Sequence, residues 1–463
     1  MLYGSHGRLG RQVSFVRRQV SDGSGLAFAD HLCARQVQRV IDREGGGVRA
    51  CVFSPVVTVY VFLAQVLGKD HSCRHAVGRL LAWLVARRYK PCSPDTGPYC
   101  KARLRLPERV PAELARQVGG DLHQHVACDS WLGGRPTKII DGTTVSMPDT
   151  PANQEAYPQS TTQKPGLGFP IARMAALISL SCGAVLDMAI GPYQGKQTGE
   201  TALFGRLWDQ LHRGDIVLGD RCFGSFWHIA MLLPRGVDVI FRLHHLRTCD
   251  FRRGKRLGKY DHLVTWPKPQ QRPDWMDEQT YAQLPGVIEV RLVKVTATVP
   301  GFRAKSLVLV TTLTDADAVS RGELAQAYRA RWHAELDLRS IKCTMQMDVL
   351  RCKSPAMVRK EIWMHLPAYN LIRTVMAQAA RTHQVPPRHV SSTGTMQTLE
   401  AFAEVMRFAC DGDDWLRLYR AMWQAIAHHR VGQRLDRCEP RAIKRRPKPH
   451  ALLTVPSHHA RCR

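Results

Sequence analysis

Between residues 137 and 243 the chain alternates strand-like and helix-like segments in an order that only a few fold types share. Three strand-like segments come first, and helices and strands then alternate. In chain order the predicted elements are strands 138–147, 173–181 and 184–190, helix 200–211, strand 215–219, helix 225–233 and strand 238–243. Only Cys182 and Gly183 separate the second and third strands, which predicts a tight hairpin. The order predicts an α/β fold, namely a mixed sheet with helices on both faces.

Two aspartates occupy related places in this pattern. Asp141 lies inside the first predicted strand, and Asp220 immediately follows the fourth. An RNase H-like core has this order of elements, and in that core the two strands are neighbours. We therefore expect both carboxylates to emerge at one place on the sheet.

The composition of the chain divides it into five regions. We predict a helical N-terminal domain (1–130), a first part of the core (131–245), a mostly β insertion (246–315), a second part of the core (316–385) and a helical C-terminal region with a basic tail (386–463). The N-terminal helices are predicted at 29–41 and 72–88, and the later strands of the insertion at 287–299 and 306–313. The N-terminal domain suits DNA-end binding, although many helical domains have the same composition.

The second part of the core also contains a long apolar helical pattern. It covers residues 358–380 and includes Pro367. A proline inside a helix lacks the backbone donor and clashes with the preceding turn. We therefore predict that Pro367 interrupts and kinks this helix.

The charge of the chain points to a polyanionic partner. Lys and Arg number 66 against 39 Asp and Glu, a formal net charge of +27. Such a surplus favours nucleic acid first and an anionic membrane surface second, while a generally basic protein remains an alternative. The basic segment 441–448 is predicted to be either a nucleic-acid-contacting tail or a merely solvated one.

Membrane insertion and export are not indicated by the sequence. The most apolar stretches, 56–67 and 174–186, are too short to span a bilayer, and the basic N-terminus lacks the features of a signal peptide. The 14 cysteines include no Cys-x-x-Cys pair, so a zinc ribbon is not indicated. We expect reduced thiols and a cytoplasmic protein.

Four polar residues recur at helical spacing near residue 330. Tyr328, Arg331, Glu335 and Lys342 lie at offsets of 0, 3, 7 and 14 and project within roughly 60° of one another on a continuous helix. We predict one helix that starts near Asp315 and carries all four on one face. A solvated salt-bridge face is the alternative interpretation of this stripe.

Three converging carboxylates suit metal-dependent chemistry on phosphodiesters. Asp141, Asp220 and Glu335 would repel one another if empty, so cations are expected between them. Carboxylates bind Mg²⁺, and two divalent ions about 4 Å apart activate a nucleophile and stabilise the leaving oxygen. Arg331 and Lys342 could then hold DNA phosphates, and Tyr328 could donate a hydrogen bond to one.

Three sequence blocks in this order resemble the DDE transposases of bacterial insertion sequences. The blocks are I-I-D-G-T-T-V-S-M-P-D-T around Asp141, V-L-G-D-R-C-F-G-S around Asp220, and Y-R-A-R-W-H-A-E-L-D-L-R-S-I-K around Glu335. The third block has the Tyr-x2-Arg-x3-Glu-x6-Lys (YREK) spacing of the subgroup of insertion sequence four type. The resemblance covers roughly residues 90 to 450, and the family fold it implies is an RNase H-like core with a β insertion before the glutamate.

The resemblance implies cut-and-paste transposition. Asp141, Asp220 and Glu335 would ligate two Mg²⁺ ions, for which Mn²⁺ can substitute. The partners would be double-stranded DNA, as terminal inverted repeats and target, and a second copy of the chain in a synaptic complex. Cleavage would pass through a DNA hairpin, and the protein would be associated with the nucleoid in a bacterial cytoplasm.

Two further residues carry expectations with alternatives. In relatives a flipped base stacks on a tryptophan of the insertion, and Trp266 is the candidate by location, although a buried core tryptophan is the favoured interpretation. Arg221 either contacts DNA or braces the site.

Two other functions remain possible for the chain as a whole. The first is a decayed or domesticated DNA-binding protein that keeps the fold but no longer cuts. The second is a host nuclease on the same fold, which would have little use for the Tyr-Arg-Glu-Lys stripe.

Overall fold

The computed structural model of this 463-residue chain describes residues 32–45, 47, 51–86, 88–126, 132–247, 249–296, 306–406 and 412–431. The chain divides into two units. A helical unit comprises the described residues up to 126, together with 182–187 and 337–431. A sheet unit comprises the described residues of 132–181 and 188–336. The basic segment 441–448 lies outside the described residues.

Five helices lie in the described residues up to 126. They are α1 (Ala34–Arg43), α2 (Pro55–Leu67), α3 (Cys73–Ala86), α4 (Gly97–Arg105) and α5 (Arg109–His125). Helix α2 starts where the Ser54 side chain accepts a hydrogen bond from the Val57 N–H and Pro55 takes the first helical position. Serine as N-cap and proline at the first position are both typical helix starts.

The sheet unit is built on a mixed sheet that has nine strands among the described residues. They are β1 (Thr137–Ser146), β2 (Ile171–Ser179), β3 (Val185–Pro192), β4 (Ile216–Gly219), β5 (Asp238–Arg242), β6 (Lys255–Gly258), β7 (Asp261–Pro267), β8 (Val287–Thr296) and β9 (Ser306–Thr311). Their order is β3-β2-β1-β4-β5-β9-β8-β7-β6. Strand β1 pairs antiparallel with β2 and parallel with β4, and β4 pairs parallel with β5. The predicted mixed α/β sheet is therefore confirmed.

Strand β4 lies in the interior of this sheet, between β1 and β5. Ile216, Val217 and Leu218 are all fully buried. A continuous apolar run of this kind is typical of a parallel strand that is covered on both faces.

The predicted insertion extends the core sheet. Strand β9 pairs antiparallel with β5, and β8, β7 and β6 follow outward, each antiparallel to its neighbour. Strand β9 ends at Thr311, two residues before the predicted end, and residues 297–299 of the predicted strand before it lie outside the described residues.

A buried arginine on β8 pairs with an aspartate on β7 and also bonds to the segment that follows the insertion. The Arg291 guanidinium on β8 is fully buried, and its Nε and Nη2 lie 2.8 and 2.7 Å from the two carboxylate oxygens of Asp261 on β7. Its Nη1 donates to the Val319 carbonyl at 2.7 Å. Because a planar guanidinium has five donors, one side chain holds two strands and the next connection together.

Six helices accompany the sheet in the part of the chain that the structure describes. They are α6 (Pro151–Ala156), α7 (Glu200–Gly205), α8 (Phe226–Leu232), α9 (Glu278–Gln283), α10 (Arg321–Ala330) and α11 (His333–Arg339), the last of which continues into the helical unit. Helix α7 is shorter than the predicted helix 200–211. It ends at Gly205, and a separate 3-10 turn, Trp208–Gln210, follows.

The predicted single helix from Asp315 through Lys342 is wrong. Helix α10 starts only after Ser320, whose side chain accepts from the Glu323 N–H, and a turn at Arg331 and Trp332 separates it from α11. Across the turn, the N–H groups of Ala334 and Glu335 bond to carbonyls three residues back. This tighter winding breaks the α-helical register.

A π-helical turn replaces the predicted end of that helix. It covers Ser340–Thr344 and includes Lys342. A π turn is wider than an α-helical turn, so the angular offset of Lys342 from Tyr328 differs from the one that the spacing predicts.

Three further helices complete the described part of the helical unit. They are α12 (Pro355–Thr382), α13 (Ser392–Val405) and α14 (Gly412–His428). Helix α12 continues through Pro367, so the predicted interruption is wrong. Most of α12 is buried, and it packs against α5 and α2, so tertiary contacts offset the missing backbone hydrogen bond. No helix in the described ranges is long and apolar enough to cross a membrane.

Candidate active site

Asp141 occupies the middle of β1, opposite Ala176 of β2. Its side chain is 16% exposed, and its Oδ1 accepts a hydrogen bond from the Gly142 N–H at 2.9 Å. Burial raises the pKa of this carboxyl, Arg331 and the Gly142 N–H oppose the shift, and the charge of Asp220 adds to it. The ionised form of Asp141 is therefore unfavourable unless a cation lies nearby.

Asp220 directly follows β4, the parallel neighbour of β1. Ile139 of β1 lies beside Leu218 of β4, so both strands reach their aspartate two residues later. The Asp220 Oδ1 accepts from the Cys222 N–H at 2.7 Å, an aspartate turn that sets the direction of its side chain. The structure brings Asp141 and Asp220 together as neighbouring strands require.

Arg331 connects Asp141 with Glu335. Its Nη1 lies 3.4 Å from the Asp141 Oδ2, and its Nη2 lies 3.6 Å from the Glu335 Oε1. The Arg331 side chain is 14% exposed and that of Glu335 is 44% exposed. Burial raises the pKa of Glu335, Arg331 opposes this, and Asp141 adds to it. The guanidinium therefore acts as a cation between two of the three predicted acids.

Tyr328 lies beside this arginine at the end of α10. The Arg331 guanidinium carbon is 5.7 Å from the centre of the Tyr328 ring. Burial raises the pKa of the Tyr328 phenol, so the group stays a neutral hydrogen-bond donor at physiological pH. The turn between α10 and α11, rather than a continuous helical face, brings Tyr328, Arg331 and Glu335 together. Lys342 belongs to the helical unit.

Glu200 is a fourth acid in this neighbourhood, and the sequence interpretation missed it. It is the first residue of α7 and is partly buried. A Cβ placed on Gly142 would lie 2.2 Å from the Glu200 Cδ, so the carboxyl group packs directly on the Gly142 backbone. The signal in the sequence is its position, as the first residue of the first helix after the third strand.

The two remaining predicted residues lie in different surroundings. Arg221 is exposed. Trp266 of β7 is 7% exposed, and the Arg247 guanidinium carbon lies 3.9 Å from the centre of its ring. Arg247 therefore covers one face of the tryptophan.

The acids fit divalent cations in their chemistry. Carboxylate oxygens are the hard ligands that Mg²⁺ and Mn²⁺ prefer. In the described part of the chain, no group of three or more His, Cys, Asp or Glu residues lies close enough to hold a metal ion. Two of the three predicted acids, Asp141 and Glu335, are instead each paired with Arg331.

Comparison with protein families identifies the domain that contains these acids. A family model described as "Transposase DDE domain" matches residues 132–371. The match covers just over half of the chain and includes Asp141, Asp220 and Glu335. The chain belongs to the DDE transposase domain family. It is accordingly a transposase, and the predicted DDE transposase family is confirmed, whereas the Tyr-Arg-Glu-Lys (YREK) subgroup stays a prediction.

Individual proteins that are similar to this transposase include a bacterial relative and a solved transposase structure. The chain is 28% identical over 452 residues to "Transposase InsG for insertion sequence element IS4" of Escherichia coli (strain K12). The alignment covers 95% of this chain and 96% of the relative. A piggyBac transposase solved in a synaptic complex with hairpin DNA is 11% identical, with a TM-score of 0.41, over 83% of this chain and 81% of the solved one.

Proposed function

We propose that this transposase cuts DNA at the ends of an insertion sequence and joins the freed ends to target DNA, with Asp141, Asp220 and Glu335 as its catalytic acids. The observation that carries the proposal is the placement of Asp141 and Asp220 on adjacent parallel strands, with Glu335 linked to Asp141 through Arg331. The membership of the chain in the DDE family supports the same assignment.

The three acids would hold two divalent cations, Mg²⁺ or Mn²⁺. When bound, such a pair supplies the Lewis acidity that activates the attacking oxygen and stabilises charge on the leaving oxygen. The raised pKa values of Asp141 and Glu335 fit this role, because a nearby cation would favour the ionised form of both carboxyls.

We assign DNA-backbone contacts to the cationic and phenolic residues of the Tyr-Arg-Glu-Lys stripe. Arg331 and Lys342 would bind phosphates, and the neutral Tyr328 hydroxyl would donate to a phosphate oxygen. Arg221 is exposed next to Asp220 and suits the same role. For Trp266, the buried ring and the covering Arg247 favour a core residue over a base-stacking one.

The finer mechanism follows the family pattern. We propose an RNase H-like core for the sheet unit, supported by the order β3-β2-β1-β4-β5 at one side of the sheet. We further propose a DNA hairpin intermediate and a synaptic complex of two copies of the chain on terminal inverted repeats. The 28% identity with an insertion-sequence transposase over nearly the full chain supports the same type of substrate.

Nicking of DNA that bears the element's terminal repeats tests the catalytic assignment. With Mg²⁺ present, Asp220→Asn should abolish nicking while binding of the DNA end survives, because only one metal-binding oxygen is replaced by an amide. Asp209→Asn is the matched control, since Asp209 is exposed in the same unit. An Asp220→Asn protein that still cuts would refute the site, and a wild-type protein that binds ends without cutting would favour a decayed copy.

A further inference from the structure

The position of Glu200 points to a role in the same site. We infer that Glu200 is a fourth carboxylate of the proposed metal site and strengthens cation binding beside Asp141 and Asp220. This inference rests on the proposed function, because it adds a residue to that site.

The contact between Glu200 and Gly142 carries the geometric argument. Gly142 follows Asp141 on β1, and a Cβ there would lie 2.4 Å from the Glu200 Oε1, well inside any real contact. The carboxyl group of Glu200 therefore rests on the backbone of the residue that follows a predicted ligand. A side chain at this position would displace the Glu200 carboxyl group from where it lies.

The electrostatic surroundings of Glu200 agree with this placement. Burial raises its pKa, the charges of Asp220 and Asp141 raise it further, and Arg173 opposes them. Arg173 lies on β2, opposite Thr144, and donates through its Nη1 to the Thr198 carbonyl at 3.2 Å. Arg331 pairs with Asp141 and Glu335, whereas Arg173 is the cation whose charge opposes the rise in the pKa of Glu200.

A helix-start acid is the simpler interpretation of Glu200. Exposed acids in a first helical turn stabilise the helix, because the free N–H groups at its start carry partial positive charge. Glu278 is such a residue, since it is exposed at the first position of α9, a helix of the same length as α7. Glu200 differs because it is partly buried and because the charges of Asp220 and Asp141 oppose its own, neither of which a helix start requires.

Direct binding of Mn²⁺ to the full-length protein separates these two interpretations. Isothermal titration calorimetry with Mn²⁺ alone, without DNA, should show that Glu200→Gln weakens binding by about 10-fold or more, the size of effect seen when residues around a metal site are changed. Glu278→Gln removes the same group from a matching helix start and should bind Mn²⁺ as the wild type does. If the Mn²⁺ affinity of Glu200→Gln is within twofold of the wild-type affinity, or is higher, the inference is overturned.

Three further measurements keep the outcome decisive. The metal-free melting temperature shows whether each variant is folded, and Glu200→Asp, one methylene shorter, replaces Glu200→Gln if that variant does not fold. Unchanged Mn²⁺ affinity in Glu200→Asp then overturns the inference. If the wild type binds no Mn²⁺, or if Asp220→Asn binds Mn²⁺ as the wild type does, the proposed function fails together with the inference. If Asp220→Asn loses Mn²⁺ binding while the Glu200 variant keeps it, only the role of Glu200 is refuted.

Discussion

At the scale of single residues, the candidate site concentrates acids whose charge is unfavourable in the metal-free chain. Asp141, Glu200 and Glu335 all have raised pKa values, with burial as the largest cause. For an acid, a raised pKa means that its contribution to stability is present at acid pH and is lost as the pH rises through the folded pKa. These residues therefore lower stability at neutral pH, which is typical of groups that serve function rather than folding.

The fully buried His228 of α8 makes an acid-sensitive contribution to stability. Burial lowers its pKa to about 4, so the folded protein keeps it neutral while the unfolded chain takes up a proton below about 6.5. A depressed pKa contributes stability that is present above the unfolded pKa and is lost as the pH falls through the folded one. We expect His228 to account for a loss of about 3 kcal/mol in the free energy of unfolding between pH 7 and 4.

Denaturant unfolding across this pH range tests the contribution of His228. The difference in free energy of unfolding between the wild type and His228→Gln should shrink as the pH falls from 7 to 4. His212→Gln, at an exposed histidine of the same unit, should follow the wild type at every pH. A difference for His228→Gln that does not change with pH would contradict the lowered pKa.

At the scale of elements, a break in the helix rather than its continuity shapes the site. The turn at Arg331 and Trp332 lets α10 end beside the acids and α11 start again with Glu335 in its first turn. Tyr328, Arg331 and Glu335 remain neighbours because three-residue hydrogen bonding compacts the turn.

Two adjacent glycines of α5 should respond oppositely to alanine. A Cβ on Gly119 would lie 2.4 Å from the Val185 carbonyl oxygen and 2.7 Å from the Asn370 Nδ2, whereas a Cβ on Gly120 meets nothing within 4 Å. Gly119→Ala should lower the free energy of unfolding by about 1–3 kcal/mol through overpacking. Gly120→Ala should raise it by up to about 1 kcal/mol, because alanine favours the helix.

Thermal or denaturant unfolding of the two single variants measures this contrast. Each variant serves as the control for the other, since both make the same chemical change in the same helix. Stabilisation by both substitutions would mean that α5 does not approach Val185 and Asn370 as closely as the structure has it.

At the scale of the whole molecule, the net charge of +27 governs the proposed DNA binding. Cations on the protein release counterions from DNA phosphates, so the affinity falls with the logarithm of the salt concentration. We expect raising the salt from about 50 to about 200 mM to weaken binding of a terminal-repeat duplex by about 10³-fold or more, as for other proteins that make many phosphate contacts. Fluorescence anisotropy measures this, and a flat salt response would contradict the charge argument.

Much of the fold and part of the candidate site could be predicted from the sequence alone. The order of the strands and of the two later helices between residues 137 and 243 follows from local apolar periodicity, and the structure keeps this order but adds the short helix α6 between β1 and β2. The places of Asp141 and Asp220 follow from that order, because β4 runs parallel to β1 and ends beside the middle of it, where Asp141 lies. The family follows from three short blocks that contain the acids.

Contacts between distant segments decided what the sequence could not. The approach of Glu200 to Gly142, the position of Arg331 between Asp141 and Glu335, and the pairing of β9 with β5 all join residues from separate elements. Local patterns also failed where tertiary packing outweighs propensity, as at Pro367 inside α12. Periodicity reports which face of an element is buried, whereas packing and electrostatics between elements determine where that face lies and which charges meet.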